Sequence, residues 1–115
     1  MFRLRVVESF CAAHHLDNYE GECKNLHGHN FKVELFITGL KLDRAEMLVD
    51  FRELKNRLKD MLMYFDHKNL NEIMKCNPTA ENIAKFIFDG LRDIYQVEKV
   101  RVWETENNWC EYYES

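Results

Sequence analysis

The stretch "HGHNFKVELFIT", His27 to Thr38, says the most about the fold. Its odd-numbered residues are two histidines followed by four apolar residues, whereas its even-numbered residues are mostly polar. Side chains two residues apart lie on the same face of a β-strand. The stretch therefore predicts a half-buried strand that carries His27 and His29 next to each other on its apolar face.

Patterns on either side of this strand predict the remaining elements. Residues 2–12 alternate like a first strand, and residues 99–106 and 109–113 predict two last strands. Between them, Asp50 and Thr79 are candidate N-caps of two helices, the first with a glutamate placed for a capping box. This order predicts an α+β fold in which a four-stranded antiparallel sheet carries both helices on one face. Because open sheet edges are usually paired, we also expect assembly through strand pairing.

The composition bounds the class of protein. With 115 residues, 46% of them hydrophobic, the chain is expected to form one domain over residues 1–115. The net charge of −4 disfavours general nucleic-acid binding, which needs a basic face. No apolar run approaches the roughly 18–20 residues of a membrane span, and the N-terminus does not resemble a signal peptide. We therefore expect a cytoplasmic protein with reduced thiols.

Three histidines are candidate ligands of one metal ion. His27 and His29, two apart on a strand, can reach the same ion. In the segment "FCAAHHL", His14 has the parity of the apolar face of the first strand and His15 has the opposite parity. We choose His14 on this ground, although a bulge near the strand end would reverse the choice. Catalytic zinc commonly takes three protein ligands and leaves a fourth position open.

Cys23 has two interpretations. As a fourth ligand it would close a structural zinc site, and the loop before His29 is long enough to permit this. As a thiolate beside an open metal it would serve as a base, because a nearby cation lowers the pKa of a thiol. The spacing leaves both interpretations open. The other cysteines, Cys11, Cys76 and Cys110, are interpreted as small, semi-buried side chains.

Three further polar residues are candidates for chemistry. Asp66 and His67 follow the first predicted helix. Such a pair can orient a catalytic group or transfer a proton to it. The alternative is that they are ordinary polar residues of a loop, which are common at helix ends. Glu104 shares a face with valines in the third predicted strand, so it must be paired, exposed at the strand end or engaged with a ligand. A buried carboxylate can accept two hydrogen bonds from a ligand whose guanidine-like edge carries two N–H donors.

Six short motifs occur in order along nearly the whole chain. They read FCAAH, CKNLHGHNF, VDFRELK, FDHKNLN, NPTAENIA and VWET, at Phe10–His14, Cys23–Phe31, Val49–Lys55, Phe65–Asn71, Asn77–Ala84 and Val102–Thr105. Each is weak alone, but the ordered set is specific. Together they resemble the 6-pyruvoyl-tetrahydropterin synthase family and, within it, the queuosine-pathway branch of 6-carboxy-5,6,7,8-tetrahydropterin synthases.

The resemblance implies a fold and a metal. The fold is the tunnelling fold, a ββααββ unit whose trimers close a barrel of strands. Two trimers stack into a homohexamer, with the active sites between subunits. His14, His27 and His29 match the three ligands of a Zn²⁺ ion in this family. The resemblance thus favours an open catalytic metal over a closed structural one.

The resemblance also implies roles for the other candidate residues. Cys23 matches the catalytic cysteine, which is the general base. Asp66 and His67 match a proton-relay pair. Glu104 matches the acid that anchors the amino-pyrimidine edge of the pterin ring, and Thr105 is assigned with it to substrate binding.

The activity implied is that of a zinc-dependent lyase. It would convert 7,8-dihydroneopterin triphosphate to 6-carboxy-5,6,7,8-tetrahydropterin, releasing acetaldehyde and triphosphate. Three residues separate Cys23 from "HGH", an interval that favours this branch over the pyruvoyl branch, which eliminates triphosphate but keeps the carbon chain. One departure is Lys68, where a second histidine is common in the carboxy branch; we interpret it as a charge near the triphosphate. A non-catalytic protein with a structural zinc site is the remote alternative.

Overall fold

The elements of the fold are taken from a computed structural model that describes residues 1–115. There are five strands, namely β1 (Phe2–His14), β2 (His27–Gly39), β3 (Lys68–Asn69), β4 (Val97–Trp103) and β5 (Trp109–Tyr113). There are three α-helices, namely α1 (Phe51–Leu62), α2 (Leu70–Ile73) and α3 (Ala80–Leu91). A short 3₁₀ helix, Glu22–Lys24, precedes β2. The predicted α+β class and the order of the main elements are confirmed.

The sheet has the order β3-β1-β2-β4-β5. The last four of these strands pair antiparallel, but β3 runs parallel to β1, with Lys68 opposite Ala12. The predicted four-stranded antiparallel sheet is therefore wrong, because the sheet has five strands and is mixed. A two-residue strand is too short to show alternation in the sequence. It forms because the His67 amide donates to the Cys11 carbonyl (2.6 Å) and draws the chain alongside β1.

β1 and β2 pair along their whole length without a shift in register, from Phe2 opposite Gly39 to His14 opposite His27. β1 is longer than predicted, so His14 is its last residue rather than a loop residue. Because no bulge interrupts this pair, strand parity holds to its end. Both histidines of β2 and His14 of β1 therefore extend from the same face of the sheet.

The helices cover this same face and form the core with it. Phe10 and Phe31 stack at 4.8 Å between ring centroids, and Phe65, just after α1, stacks on Phe10 at 5.3 Å. Leu54 in α1 and Ile83 in α3 are completely buried. Each such side chain contributes roughly 1.5–3 kcal/mol by leaving water. The histidine-bearing end of the sheet therefore adjoins a part of the core with stacked aromatic rings.

Local signals set where the helices begin. The Asp50 carboxylate accepts from the Arg52 amide (2.8 Å) and the Thr79 hydroxyl accepts from the Asn82 amide (3.1 Å), so both predicted N-caps are confirmed. The expected capping box is not formed, because the Glu53 carboxylate accepts instead from the Tyr95 hydroxyl at 2.8 Å. None of the helices has the length and hydrophobicity that a membrane span requires.

Candidate active site

Four side chains converge at the end of the β1–β2 pair. His14, His27, His29 and Glu104 each direct one nitrogen or oxygen into a group whose atoms all lie within 4.8 Å of one another. His14 is completely buried, and the other three are partly buried. The arrangement places three imidazoles and one carboxylate around a single small volume.

The strand pairing holds the imidazoles together. His14 lies opposite His27, and Ala12 lies opposite His29, so a small side chain leaves room for the third ring. The His14 ring meets those of His27 and His29 edge-on, with centroids 4.6 and 5.2 Å away. Phe31 packs against the rings of both His14 and His29 at 5.5 Å. The hydrophobic core thus limits how far these rings can rotate.

Backbone carbonyls fix which nitrogen of two rings faces the group. His14 donates from Nδ1 to the Pro78 carbonyl, and His27 donates from Nδ1 to the Asn25 carbonyl, both at 2.7 Å. A carbonyl only accepts, so Nδ1 carries the proton in each ring. The lone pair of the neutral ring is then on Nε2, which is the usual arrangement of a metal-binding histidine.

The loop before α3 holds the Pro78 carbonyl in place. The Asn77 side chain accepts from the Asp17 amide and donates to the Asp17 carbonyl, both at 2.9 Å. The Asn82 side chain donates to the Asn77 carbonyl at 2.8 Å, and Thr79 caps the helix that follows. From the sequence, this segment is predicted only to match a family motif and to begin a helix at Thr79. Its Asn-Pro-Thr order and the asparagine in the first turn were the available signal for a built loop.

His15 lies outside the group. Its backbone amide donates to the Asn71 side chain at 2.8 Å, and that side chain donates to the His15 carbonyl at 3.0 Å. Its ring faces Asp17, at 3.4 Å between Nε2 and the carboxylate. The structure thus places His14, and not His15, with the other two histidines.

The four residues fit a bound metal ion. Nε2 of His14 and Nε2 of His29 are buried and make no hydrogen bond, which is costly unless something binds them. Burial lowers the pKa of both rings, against the opposing effect of Glu104 on each, so both are neutral near pH 7. Neutral imidazoles with a carboxylate are a donor set that suits Zn²⁺. The chemistry of the site therefore matches the metal that the family resemblance implies.

Glu104 and Thr105 lie in a loop and not in a strand as predicted, because β4 ends at Trp103. The turn is closed by the Glu104 amide donating to the Asn108 carbonyl at 3.2 Å. The Thr105 hydroxyl accepts from the Asn107 amide at 3.2 Å and so takes part in this turn. Parity from the two preceding valines nevertheless indicated the correct side of the sheet for Glu104.

Asp66 and His67 form a separate pair at the edge of the sheet. The Cys11 amide donates to Asp66 Oδ1 at 2.9 Å, and this bond, followed by the contact with His67, lowers the pKa of Asp66. Asp66 Oδ2 lies 3.0 Å from His67 Nδ1. The His67 backbone has a φ of 58°, an uncommon conformation for a residue other than glycine. The pair is thus held in a defined orientation by the backbone of β1.

His67 of this pair lines an open cleft of about 570 Å³. Its lining residues are Cys11, Ala12, Ala13, Gly28, His29, Asn30, His67, Lys68 and Asn69. Cys11, Ala13, Gly28 and Asn30 belong by alternation to the sheet face opposite the four-residue group. Within one chain, no hydrogen bond or ion pair links His67 to that group.

Cys23 is also separate from the group. It lies in the 3₁₀ helix before β2, and its carbonyl accepts from the Leu16 amide at 2.8 Å, which ties this loop to the end of β1. Its thiol is half-buried and is not one of the four converging ligands. The fourth converging atom belongs to Glu104 instead. In this chain, Cys23 and the three histidines therefore do not form a closed metal site.

The whole chain is similar to proteins of one family. It belongs to the 6-pyruvoyl tetrahydropterin synthase family, whose model matches residues 3–115. The 6-carboxy-5,6,7,8-tetrahydropterin synthase of Haemophilus influenzae is 35% identical over 99% of this chain and 100% of that protein. An Archaeoglobus fulgidus protein provisionally given the same name is 42% identical over 92% of this chain and 90% of its own length.

Two further relatives carry other names. The dihydroneopterin monophosphate aldolase of Pyrococcus furiosus is 37% identical over 84% of this chain and 83% of that protein. The solved structure of the Caenorhabditis elegans 6-pyruvoyl tetrahydropterin synthase superposes with a TM-score of 0.85 at 28% identity, over 99% of this chain and 96% of that chain. The family is thus established, and the similarity extends to members with different named activities.

Proposed function

We propose that this protein is a zinc-dependent lyase that converts 7,8-dihydroneopterin triphosphate to 6-carboxy-5,6,7,8-tetrahydropterin, with release of acetaldehyde and triphosphate. The product would enter queuosine and 7-deazapurine synthesis. The observation that carries the proposal is the convergence of three imidazoles and Glu104 in a pterin-synthase fold. Relatives at 35% and 42% identity that bear the carboxy-product name support this choice.

His14, His27 and His29 would hold the metal, because their ring nitrogens already face one small volume. Bound Zn²⁺ would supply Lewis-acid polarisation of the hydroxyl groups on the substrate side chain. The backbone carbonyls of Pro78 and Asn25 keep His14 and His27 in the metal-binding tautomer throughout. Glu104 would bind the amino-pyrimidine edge of the pterin, since a carboxylate can accept both N–H groups of that edge.

Cys23 would act as the general base on the side chain, and His67 would carry protons while Asp66 holds its ring. Asp66 suits this role because the Cys11 amide keeps it ionised and oriented toward His67. Atom balance requires one water: the bond between the first two side-chain carbons breaks, the first carbon stays on the ring and takes an oxygen from water to become the 6-carboxylate, and the other two carbons leave as acetaldehyde. The pterin ring is reduced in the same overall conversion, so no external reductant is needed.

The residues of this site would come from more than one copy of the chain. His67 lines the same cleft as His29 but makes no hydrogen bond or ion pair with the four-residue group, so one chain alone does not bring the relay into contact with the metal ligands. We propose a homohexamer of two stacked trimers, each a closed barrel of strands, with the sites between subunits. We also propose that residues 1–115 form a single domain and that the protein works in the cytoplasm.

The direct test of these roles is the Cys23→Ala variant, with Cys76→Ala as a matched control at an exposed cysteine. Cys23→Ala should keep the zinc content of the wild type and lose turnover by about 10²–10⁴-fold, the usual contribution of a general base. Zinc is measured by elemental analysis and turnover by chromatography of the pterins. Normal turnover in Cys23→Ala contradicts the proposed role, and loss of zinc supports the structural interpretation instead.

A second candidate function is favoured by the likeness to the C. elegans protein, whose name is that of a pyruvoyl synthase. Such an enzyme would eliminate triphosphate and keep the three-carbon side chain. The same three histidines and Glu104 would serve both reactions, so the metal site does not separate them. The identity of the pterin product does.

A further inference from the structure

The Glu104 carboxylate has two possible partners, the pterin ring and the histidine group. Under the proposed function its carboxylate binds the pterin ring. In the substrate-free structure, however, its Oε1 lies 3.0 Å from Nε2 of His29 and 3.8 Å from Nε2 of His14. The two partners compete for the same carboxylate.

The separations of Glu104 Oε1 from the two ring nitrogens can be compared with those of ligands around one ion. Four ligands at zinc distances of about 2.0–2.1 Å in a tetrahedron lie roughly 3.3 Å from one another. The two separations measured from Glu104 Oε1, 3.0 and 3.8 Å, lie on either side of that value. The carboxylate therefore occupies the place of a fourth ligand and is not merely close to the three histidines.

No other group in the chain accounts for the position of this carboxylate. None of its hydrogen bonds or ion pairs involves a lysine, an arginine or a backbone amide, and its only charged or titratable contacts are the two rings. Nε2 of His29 lies 3.0 Å from the Glu104 carboxylate and yet is not hydrogen-bonded to it. A cation between these atoms would satisfy all of them at once.

The position of Glu104 in the chain also allows its side chain to move away from the histidines. It is the first residue after β4, in a turn closed by a single backbone bond to Asn108, and its side chain is 27% exposed. The histidines, by contrast, are held by the strand pair and by Phe31. Of the four ligands, only Glu104 can exchange without disturbing the sheet.

We infer that Glu104 is the fourth metal ligand in the substrate-free protein, and that the pterin ring displaces it. The carboxylate leaves the metal to accept the two N–H groups of the ring edge, which opens the fourth position as the substrate arrives. Ring binding is thereby coupled to opening of the metal. This inference rests on the metal site of the proposed function and adds an exchange of ligands to it.

The test uses the full-length protein loaded with Co²⁺, whose visible absorption reports the number and kind of ligands. The variant is Glu104→Gln, which keeps the shape but removes the charge, and the matched control is Glu106→Gln, an exposed acid in the same turn. Glu104→Gln should change the position and intensity of the cobalt bands. It should also weaken Zn²⁺ binding at least about tenfold, as measured by competition with a chelator. Mutating even a residue that only hydrogen-bonds to a metal ligand lowers metal affinity by that factor. Glu106→Gln should match the wild type in both measurements.

Pterin itself, which has the ring edge but no hydroxylated side chain, is then added to the cobalt forms. The wild-type spectrum should shift toward that of Glu104→Gln, and the spectrum of Glu104→Gln should stay unchanged. Equal spectra and equal zinc affinity in wild type and Glu104→Gln, with one metal bound per chain, would overturn the inference and leave the proposed function in place. A wild-type protein that binds neither Co²⁺ nor Zn²⁺ would overturn the proposed function as well.

Discussion

Glu34 provides a test of the electrostatics of the sheet face that carries no helix. Its side chain is only 4% exposed, yet it lies on the face predicted to be polar. It accepts a hydrogen bond from Nε of Arg5 and another from Nε1 of Trp103 (2.5 Å), and Arg101 lies 3.5 Å away. Replacing it by glutamine removes the charge and presents an amide N–H to the arginines.

The magnitude follows from these contacts. Removing one partner of a fully buried ion pair costs about 3–5 kcal/mol, and a hydrogen bond to a charged group contributes about 1.5–3 kcal/mol. Arg5 is half exposed, so water can solvate its charge, and glutamine can still accept from Trp103. We therefore expect Glu34→Gln to lower the free energy of unfolding by about 2–3 kcal/mol, or Tm by roughly 8–12 °C.

The assay is urea and thermal unfolding at one protein concentration, followed by circular dichroism. The control is Glu98→Gln, because Glu98 also pairs with an arginine through two hydrogen bonds of 2.7 Å, but Arg3 is well exposed. Ion pairs at the protein surface contribute about 0–1 kcal/mol to stability, so Glu98→Gln should change the free energy of unfolding only slightly. A Glu34→Gln variant no less stable than Glu98→Gln would show that the buried charge of Glu34 does not stabilise the fold.

The difference in stability between the wild type and Glu34→Gln should depend on pH. Burial raises the pKa of Glu34, but the hydrogen bonds from Trp103 and Arg5 and the arginine charges outweigh it, so the folded pKa lies below the ordinary value of 4.5. A carboxyl with a lowered folded pKa stabilises the protein above its unfolded pKa, and that stability is lost as the pH falls through the folded value. The difference between wild type and Glu34→Gln should therefore be full above about pH 5 and vanish in stronger acid. A difference that grows in acid would contradict this.

Two further predictions concern the core and a helix start, each measured by urea unfolding. Phe65→Ala should lower the free energy of unfolding by about 3–5 kcal/mol, because the buried Phe65 ring stacks on Phe10. The control Phe51→Ala, at an exposed ring, should lower it by under about 1 kcal/mol. Equal losses in the two variants would contradict the packing of Phe65 in the core. Thr79→Ala should cost about 1 kcal/mol through loss of the bond to the Asn82 amide, and Thr79→Ser should restore most of it; no loss in the alanine variant would show that this cap is not stabilising.

The parts of the fold that the sequence predicts are those with local signals. The two-residue alternation of β2 and the side chains of Asp50 and Thr79 act on their immediate neighbours, so strands and helix starts can be inferred from them. Strand ends are less local. β1 runs to His14 and β4 stops at Trp103 because pairing with β2 begins or ends there, and the sequence alone does not show pairing.

What the sequence does not predict depends on contacts between distant parts of the chain. β3 exists because the His67 amide reaches the Cys11 carbonyl, a bond made by the backbone and therefore invisible in residue types. The same holds for the Pro78 carbonyl that orients His14. Parity predicted the face of Glu104, but its approach to Nε2 of His29 depends on the turn after β4. The roles of Cys23, Asp66 and His67 remain predictions from the family resemblance.

The decisive measurement for the proposed function is the mass spectrum of the pterin formed when the zinc-loaded protein is incubated with 7,8-dihydroneopterin triphosphate. We expect 6-carboxy-5,6,7,8-tetrahydropterin together with one equivalent each of acetaldehyde and triphosphate. A 6-pyruvoyl product, which retains all three side-chain carbons, would contradict it, and so would a 6-hydroxymethyl product of aldolase-type cleavage. A zinc-loaded protein that gives no turnover would contradict the proposed function altogether.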